Sequence, residues 1–251
     1  MTDTLEQVLD DLRVAPPPTL RTRVLATWGR VEGRTGAVYI ASTDHGVAMV
    51  VPAAVVDDDG NRFASLYRER FVRPIVRGDD VPRAVERALA TGDGRGVDYD
   101  FRGLSAFEEA VLRKTLEIPL GEVRPYAWVA REIGRPGAVR ATGSALGRNP
   151  VPVLIPCHRV TRSDGLPGNY AYGPALKEQL LTAEDVDVDG MRERAARGAL
   201  YVGSATNDVV CYPTCHHARR IASQHRREFR SLAAAAGAGY RPCRDCRPAV
   251  A

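Results

Sequence analysis

The stretch GEVRPYAWVAREIGRPGAVRATGSALGRN, residues 121–149, predicts two short helices joined by a tight turn. Apolar residues recur at helical spacing before Gly134, and Pro136 and Gly137 then punctuate the chain. The stretch has the length of a helix-turn-helix unit, a motif that places a helix in a groove of DNA. We therefore expect a helical, DNA-binding domain around it.

The second of these helices is nearly bare of long side chains. Small residues make up most of it, namely Gly137, Ala138, Ala141, Gly143, Ser144 and Ala145. A helix that reads a major groove needs long polar side chains. A thin helix can instead approach a narrow groove closely, with Arg140 as its only long projection. Tight helix–helix packing through small residues is the alternative that composition leaves open.

Upstream of this unit the sequence predicts an α/β domain. FRGLSAFEEAVLRKTLEIP, residues 101–119, predicts a helix with Ser105 as N-cap and Glu108 as capping-box partner. TGAVYIASTDHGVAMVVP predicts a β-hairpin, and FASLYRERF and VPRAVERALATG predict helices. Residues 1–13 predict a short amphipathic helix. We assign residues 1–98 to an α/β domain with an N-terminal extension, and residues 99–188 to a second domain.

Downstream, NPVPVLIPCHRV places Cys157 between a proline and His158. A cysteine beside a histidine can be a nucleophile, a metal ligand or an accident of packing. A free thiol is mostly protonated at neutral pH and must be activated to attack carbon. Neighbouring side chains of an extended segment point to opposite faces, so we expect no direct contact between Cys157 and His158.

The last fifty residues predict a separate metal-binding module, residues 198–251. Its cysteines form a C-x3-C pair and a C-x2-C pair, at Cys211, Cys215, Cys243 and Cys246. Four thiols in two close pairs can close a tetrahedral zinc site and order a module with a small core. Disulfides are the alternative, and a reducing compartment argues against them. We expect His216 and His217 to be surface residues.

Bulk composition is that of a soluble globular protein. The net charge is +4, and nearly all the positive charge is arginine, because Lys114 and Lys177 are the only lysines. Arginine suits phosphate and base edges, although a GC-rich genome would give the same bias. No apolar run approaches the roughly 20 residues that span a bilayer, and the acidic start is no signal peptide. We therefore expect a cytoplasmic protein without a membrane partner.

From Phe101 to Glu184 the chain resembles the O6-alkylguanine-DNA alkyltransferase family. The motifs that carry the resemblance are PCHRV within NPVPVLIPCHRV, GEV upstream, and GNYAYG followed by K, LL and E downstream. The resemblance implies an RNase H-like α/β domain followed by a winged helix-turn-helix domain. It implies irreversible transfer of an alkyl group from O6 of guanine, and from O4 of thymine, in double-stranded DNA to Cys157. A methyl thioether is a poor leaving group, so each molecule should act once. We also expect a monomer that needs no organic cofactor.

The resemblance also implies a role for each site residue. His158 activates the thiol through a water, and Glu184 fixes the imidazole tautomer, with Asp185 as its nearest competitor. Arg140 replaces the extruded base, while Tyr126 presses on the phosphate side and helps to protonate the leaving guanine. Further residues implied are Asn149 in the turn before the active segment, Ala138, Ala141 and Gly143 against DNA, and Val160, Tyr170, Ala171 and Tyr172 around the guanine. The aromatic Tyr172 predicts a tight pocket that accepts methyl and resists benzyl groups.

The cysteine module resembles the Ada-type zinc domain, which implies that Cys211 is a second acceptor, for methyl from DNA phosphotriesters. A purely structural or DNA-binding zinc module is the alternative. An Ada-like transcriptional regulator is another, and the position of the module at the end of this sequence argues against it. A lesion sensor would lack the thiol, so Cys157 and Glu184 argue against that class. For a Cys-His hydrolase, no motif supplies an orienting Asn or Asp.

Overall fold

The computed structural model describes residues 23–78 and 81–248, and shows a mixed α/β architecture. The helix predicted at residues 1–13 lies outside the described residues. The predicted domain limits at 98, 188 and 198 stay predictions. In the described part of the chain, no helix is both long and apolar enough to cross a bilayer.

A four-stranded sheet forms the N-terminal part, in the order β3-β2-β1-β4. Its strands are β1 (Ala26–Gly33), β2 (Gly36–Thr43), β3 (Gly46–Pro52) and β4 (Ile75–Arg77). The predicted hairpin is confirmed as the antiparallel β2–β3 pair. Gly46 at its turn has φ +123°, and a Cβ there would lie 2.3 Å from the carbonyl oxygen of Asp98. The sequence prediction missed β1 and β4, and β1 pairs with β4 in parallel.

Both predicted helices of this part are confirmed, and they cover opposite faces of the sheet. They are α1 (Gly60–Phe71) and α2 (Arg83–Thr91). Because strand side chains alternate between faces, Tyr39 of β2 shares a core with Phe63 of α1, whereas Ile40 shares one with Leu89 of α2. The second of these cores continues into the rest of the molecule.

The helix-turn-helix predicted at residues 121–149 is present. Helix α3 (Ala106–Leu116) precedes it with the predicted capping box of Ser105 and Glu108. The two helices of the unit are α4 (Tyr126–Glu132) and α5 (Val139–Gly147). Helix α5 begins later than the run of small residues, because Gly137 and Ala138 lie before its first turn. A two-stranded parallel sheet joins β5 (Arg124–Pro125) to β6 (Val160–Thr161).

The extended conformation that we expected around Cys157 is wrong. Cys157–Arg159 form a turn of 3-10 helix. Arg159 N–H donates to the carbonyl of Pro156, and Val160 N–H donates to that of Cys157. These short-range hydrogen bonds curl the chain before β6 begins, so the opposite-face argument for Cys157 and His158 does not apply.

After α6 (Pro174–Ala183), the charged stretch near residue 190 forms helix α7 (Val188–Ala196). A second four-stranded sheet follows, in the order β10-β8-β7-β9. Its strands are β7 (Tyr201–Ser204), β8 (Val209–Cys211), β9 (Arg226–Phe229) and β10 (Arg241–Pro242), with short helices α8 (His216–Arg219) and α9 (Leu232–Gly237). Trp128 and Val129 of α4 share one hydrophobic core with Tyr212 and Ala218 of this module.

Candidate active site and zinc centre

Cys157 borders a cavity of about 200 Å³ between the helix-turn-helix and the loop before α6. The lining residues are Tyr126, Gly143, Leu146, Gly147, Cys157, Asn169, Tyr170 and Ala171. Gly143 of α5 lies close to Tyr126 of α4, because a Cβ on the glycine would be 3.8 Å from the tyrosine ring, an ordinary van der Waals distance. Both helices of the unit therefore contribute to the wall around the thiol.

Asn149 holds the turn that leads to Cys157. Its Nδ2 donates to the carbonyl of Ile155 at 3.1 Å and lies 3.2 Å from Cys157 Sγ. Its Oδ1 accepts from Val151 N–H at 2.9 Å. One buried amide thus connects the end of the helix-turn-helix to the backbone before the cysteine and to the sulfur itself.

Behind the thiol, His158, Glu184 and Arg159 form a buried network. His158 Nε2 lies 2.9 Å from Glu184 Oε1, and Arg159 donates to both carboxylate oxygens at 2.7 and 2.8 Å. Burial alone would raise the pKa of Glu184, but the hydrogen bonds from His158 and Arg159 lower it to about 2. The carboxylate therefore accepts the Nε2 proton and leaves Nδ1 as the basic nitrogen. Asp185, the competing carboxylate, is exposed.

The imidazole of His158 is neutral and can therefore accept a proton. Burial lowers the pKa of His158 more than the hydrogen bond to Glu184 raises it. His158 Nδ1 is buried and has no hydrogen-bond partner among the described residues. Within the same part of the chain, no hydrogen bond joins His158 to Cys157.

Lys177 is a buried cation whose charge lowers the pKa of the Cys157 thiol. It is 1% exposed, and its Nζ donates to the carbonyl of Val160 at 2.6 Å. Burial lowers its pKa to about 8. Burial also raises the pKa of Cys157, while Asn149, Lys177 and Tyr170 act in the opposite direction. The resting thiol is therefore protonated, and its surroundings favour the thiolate once a base removes the proton.

Three tyrosines lie near the thiol, and two of them line the cavity. Tyr126 and Tyr170 line the cavity, and burial raises the pKa of both phenols, so both keep their protons. The Tyr170 hydroxyl is close enough to influence Cys157 but lacks the geometry of a hydrogen bond to it. Tyr172 does not line the cavity; its ring packs edge-on against Tyr170, with centroids 6.0 Å apart.

The outer face of α5 is open. Arg140 and Ala141 are exposed, and Ala138 is half-buried. Arg140 makes no hydrogen bond or ion pair with the described part of the chain. The inner face packs through Ala145 and Leu146. Both interpretations of the small residues thus fit the structure, since one face of α5 packs against the protein and the other is exposed and carries few long side chains.

The four cysteines of the C-terminal module meet at one point. Their Sγ atoms lie within 4.8 Å of one another, all four residues are buried, and none forms a disulfide. Hydrogen bonding among the thiols raises the pKa of Cys211 and lowers that of Cys215. Four buried thiols so close together cannot all ionise without a cation, and soft thiolate ligands in a tetrahedral set suit zinc.

A larger cavity of about 740 Å³ opens beside these cysteines. Cys211 and Cys243 line it, whereas Cys215 and Cys246 do not. The basic residues in its wall are Arg220, Arg241 and Arg244, together with His217 and His225. His216 and His217 are partly exposed, as expected, but His216 also contacts Glu122, which lies in the segment before α4.

Sequence reasoning did not assign roles to Lys177 or Arg159. Lys177 carried a usable signal, because it is one of two lysines in a chain whose other basic residues are arginines. Arg159 follows the Cys-His pair directly. Its contacts with Glu184 and with the carbonyls of Ile118 and Gly92 join segments far apart in the sequence.

Comparison with known proteins defines the class. Residues 106–186 match the family model "6-O-methylguanine DNA methyltransferase, DNA binding domain", and residues 190–249 match "Metal binding domain of Ada". The two matches place a DNA-binding domain of the alkyltransferase type at residues 106–186 and an Ada-type metal-binding domain after it. More particularly, in the Ada-type domain Cys211, Cys215, Cys243 and Cys246 form a structural zinc site.

Individual relatives agree. Methylated-DNA–protein-cysteine methyltransferase of Methanothermobacter thermautotrophicus is 43% identical over 103 residues, which is 39% of this chain and 57% of that protein. The bifunctional transcriptional activator/DNA repair enzyme Ada of Escherichia coli is 45% identical over 159 residues, or 59% of this chain and 42% of Ada. The chain thus spans about half the length of these relatives.

Solved structures show the same similarity. Mycobacterium tuberculosis OGT in complex with DNA superposes with a TM-score of 0.51 at 27% identity, covering 66% of this chain and 98% of that one. The O6-methylguanine methyltransferase structure from the same organism gives a TM-score of 0.50 at 28% identity, covering 63% and 92%.

Proposed function

We propose that this protein repairs DNA by moving a methyl or larger alkyl group from O6 of guanine, and from O4 of thymine, to Cys157. The observation that carries the proposal is a buried thiol at the wall of a cavity built by a helix-turn-helix, with a neutral imidazole held behind it by a carboxylate. The related methyltransferases support it by name. Double-stranded DNA with an alkylated guanine is the proposed partner, and the proposed state is a cytoplasmic monomer.

The chemistry follows from the residues. His158 Nδ1 takes the thiol proton, through a water, and Lys177 stabilises the thiolate. The sulfur attacks the alkyl carbon, so a carbon–sulfur bond forms and the carbon–O6 bond breaks with its electron pair left on guanine. Tyr126, whose phenol keeps its proton, donates toward the leaving base. A thioether is stable to these groups, so each molecule reacts once and no organic cofactor is needed.

Access to the target requires the nucleotide to leave the stack, at a cost of a few kcal/mol. We assign Arg140, Ala138, Ala141 and Gly143 to the DNA-facing helix, with Arg140 filling the space of the extruded base. The remaining pocket assignments are Val160, Tyr170, Ala171 and Tyr172 for the guanine, and Asn149 for the turn. An RNase H-like N-terminal domain and a winged helix-turn-helix complete the proposed architecture.

The test is a labelled transfer. The protein is incubated with an excess of duplex DNA that carries radiolabelled O6-methylguanine, and the labelled peptide is mapped. We expect one label per molecule at Cys157, and none in Cys157→Ala. Repeated turnover, or label that persists in the variant, would contradict the proposal.

A second methyl acceptor is proposed at Cys211. Of the four zinc ligands, Cys211 and Cys243 border the open, arginine-lined cavity, which suits a phosphate backbone. Methylation of one thiolate changes a formal site charge of −2 to −1 and so reduces repulsion of DNA. Cys157→Ala leaves this module as the remaining acceptor. Mass spectrometry after reaction with methylphosphotriester DNA should find methyl on Cys211; an unmodified module would favour a structural or DNA-binding role. The regulator alternative needs methylation to change transcription.

A further inference from the structure

Residues on either side of one zinc ligand contact the segment that precedes α4. Thr214 and His216 flank Cys215 in the sequence. Thr214 Oγ1 accepts from Val123 N–H at 2.9 Å. Glu122 Oε1 accepts from His216 N–H at 2.9 Å and lies 3.1 Å from His216 Nδ1. Glu122 is 1% exposed, so these contacts are part of the interior.

A second zinc ligand is held by α4 itself. Trp128 Nε1 donates to the carbonyl of Cys246 at 3.0 Å, and Trp128 is 2% exposed. The next residue, Arg247, accepts at its carbonyl from Arg131 at 2.6 Å and pairs with Glu132 at 3.0 Å. The chain around two of the four ligands is thus hydrogen-bonded to the first helix of the helix-turn-helix or to the segment just before it.

The same segment reaches the acceptor cysteine within a few residues. Glu122 forms a buried ion pair with Arg124, which begins β5. In β5–β6, Arg124 is the register partner of Val160, whose N–H is bonded to the carbonyl of Cys157. On the other side of β5, Tyr126 opens α4 and lines the cavity.

We propose that Glu122, Val123 and Trp128 are positioning residues that couple the four-cysteine site to Cys157. The zinc module is then a working part of the alkyl-transfer site as well as a separate DNA-binding unit. This inference rests on the proposed alkyl transfer to Cys157. A small four-thiolate module depends on its metal for its fold. Loss of the metal would remove the partners of Trp128, Val123 and Glu122, and would release β5 and α4.

The chain offers a direct reporter, because Trp28 and Trp128 are its two tryptophans. Trp28 lies in the N-terminal sheet against Tyr39 and Phe63. In a Trp28→Phe background, Trp128 emission is followed while a chelator removes zinc and zinc is then restored. We expect a reversible shift to longer wavelength, together with a reversible fall in the rate of alkyl transfer to Cys157. Trp28→Phe alone should leave the rate unchanged.

Trp128→Phe, studied fully zinc-loaded, removes the N–H donor and keeps an aromatic ring. Loss of one buried hydrogen bond predicts a roughly threefold to tenfold slower transfer step at saturating DNA. The zinc content should stay at one per chain, and the reacting fraction should stay complete. A merely structural role would instead lower the reacting fraction at an unchanged rate.

The outcomes separate the two proposals. Unchanged Trp128 emission on zinc removal, or a Trp128→Phe transfer rate within twofold of the parent, overturns the coupling. A zinc-loaded parent that transfers no alkyl group overturns the proposed function, and the emission readout still decides whether zinc and α4 are linked.

Discussion

Glu184→Gln tests whether the buried carboxylate sets the tautomer of His158 and so supports the thiol of Cys157. Glutamine keeps the shape of the side chain and removes the charge that lowers the pKa of Glu184 to about 2. Its amide can also donate to His158 Nε2, which would place the imidazole proton on Nδ1. The base would then face the thiol in the wrong tautomer, and Arg159 would lose its buried counter-ion.

Two magnitudes follow. A pKa lowered from 4.5 to about 2 corresponds to about 3 kcal/mol of unfolding free energy at pH 7. For a carboxyl with a depressed pKa, this stability is complete above the unfolded value and is lost as pH falls through the folded value. The deficit of the variant should therefore shrink between pH 4.5 and about 2. Loss of a positioned base predicts a transfer rate lower by at least about 100-fold.

The assay is single-turnover transfer from O6-methylguanine duplex, with denaturant unfolding measured in parallel. Asp185→Asn is the matched control, because it removes the adjacent, exposed carboxylate. We expect the control to react at the parental rate. A Glu184→Gln protein that transfers within threefold of the parent would refute the assignment of the carboxylate. So would equal losses in both variants.

The remaining predictions concern the base, the cation, the DNA face and the pocket. Since burial lowers the pKa of His158, the transfer rate should stay constant as the pH is lowered past 6.5 and should fall only when the imidazole becomes protonated. A pH–rate profile with its midpoint at or above 6.5 contradicts this. Lys177→Met should raise the pKa of the Cys157 thiol, measured by the pH dependence of iodoacetamide labelling at Cys157. An unchanged pH dependence would contradict the stabilisation of the thiolate by Lys177. Arg140→Ala should slow transfer from duplex DNA and leave the rate with free O6-methylguanine base unchanged. Arg135→Ala, a change at another exposed arginine, should leave both rates unchanged. The protein should react faster with methylguanine than with benzylguanine, and Tyr172→Ala should narrow the difference; equal parental rates refute the tight pocket.

The amino-acid sequence determined the elements whose signals are local. The β2–β3 hairpin follows from two β-rich runs around a turn, and α3 follows from the capping pair of Ser105 and Glu108. The helix-turn-helix and the four-cysteine set follow from helical periodicity and close spacing. The extended segment at Cys157 failed because short-range hydrogen bonds curl that turn.

Tertiary structure alone decided which distant groups act on the sulfur. Lys177, twenty residues from Cys157 in sequence, is buried beside the same turn, and Arg159 holds Glu184 in place. The docking of Trp128 against Cys246 joins residues more than a hundred positions apart. Periodicity and spacing describe a residue's immediate neighbours. Contacts across such separations depend on how completed elements pack, because burial and hydrogen-bond satisfaction are settled only when those elements meet.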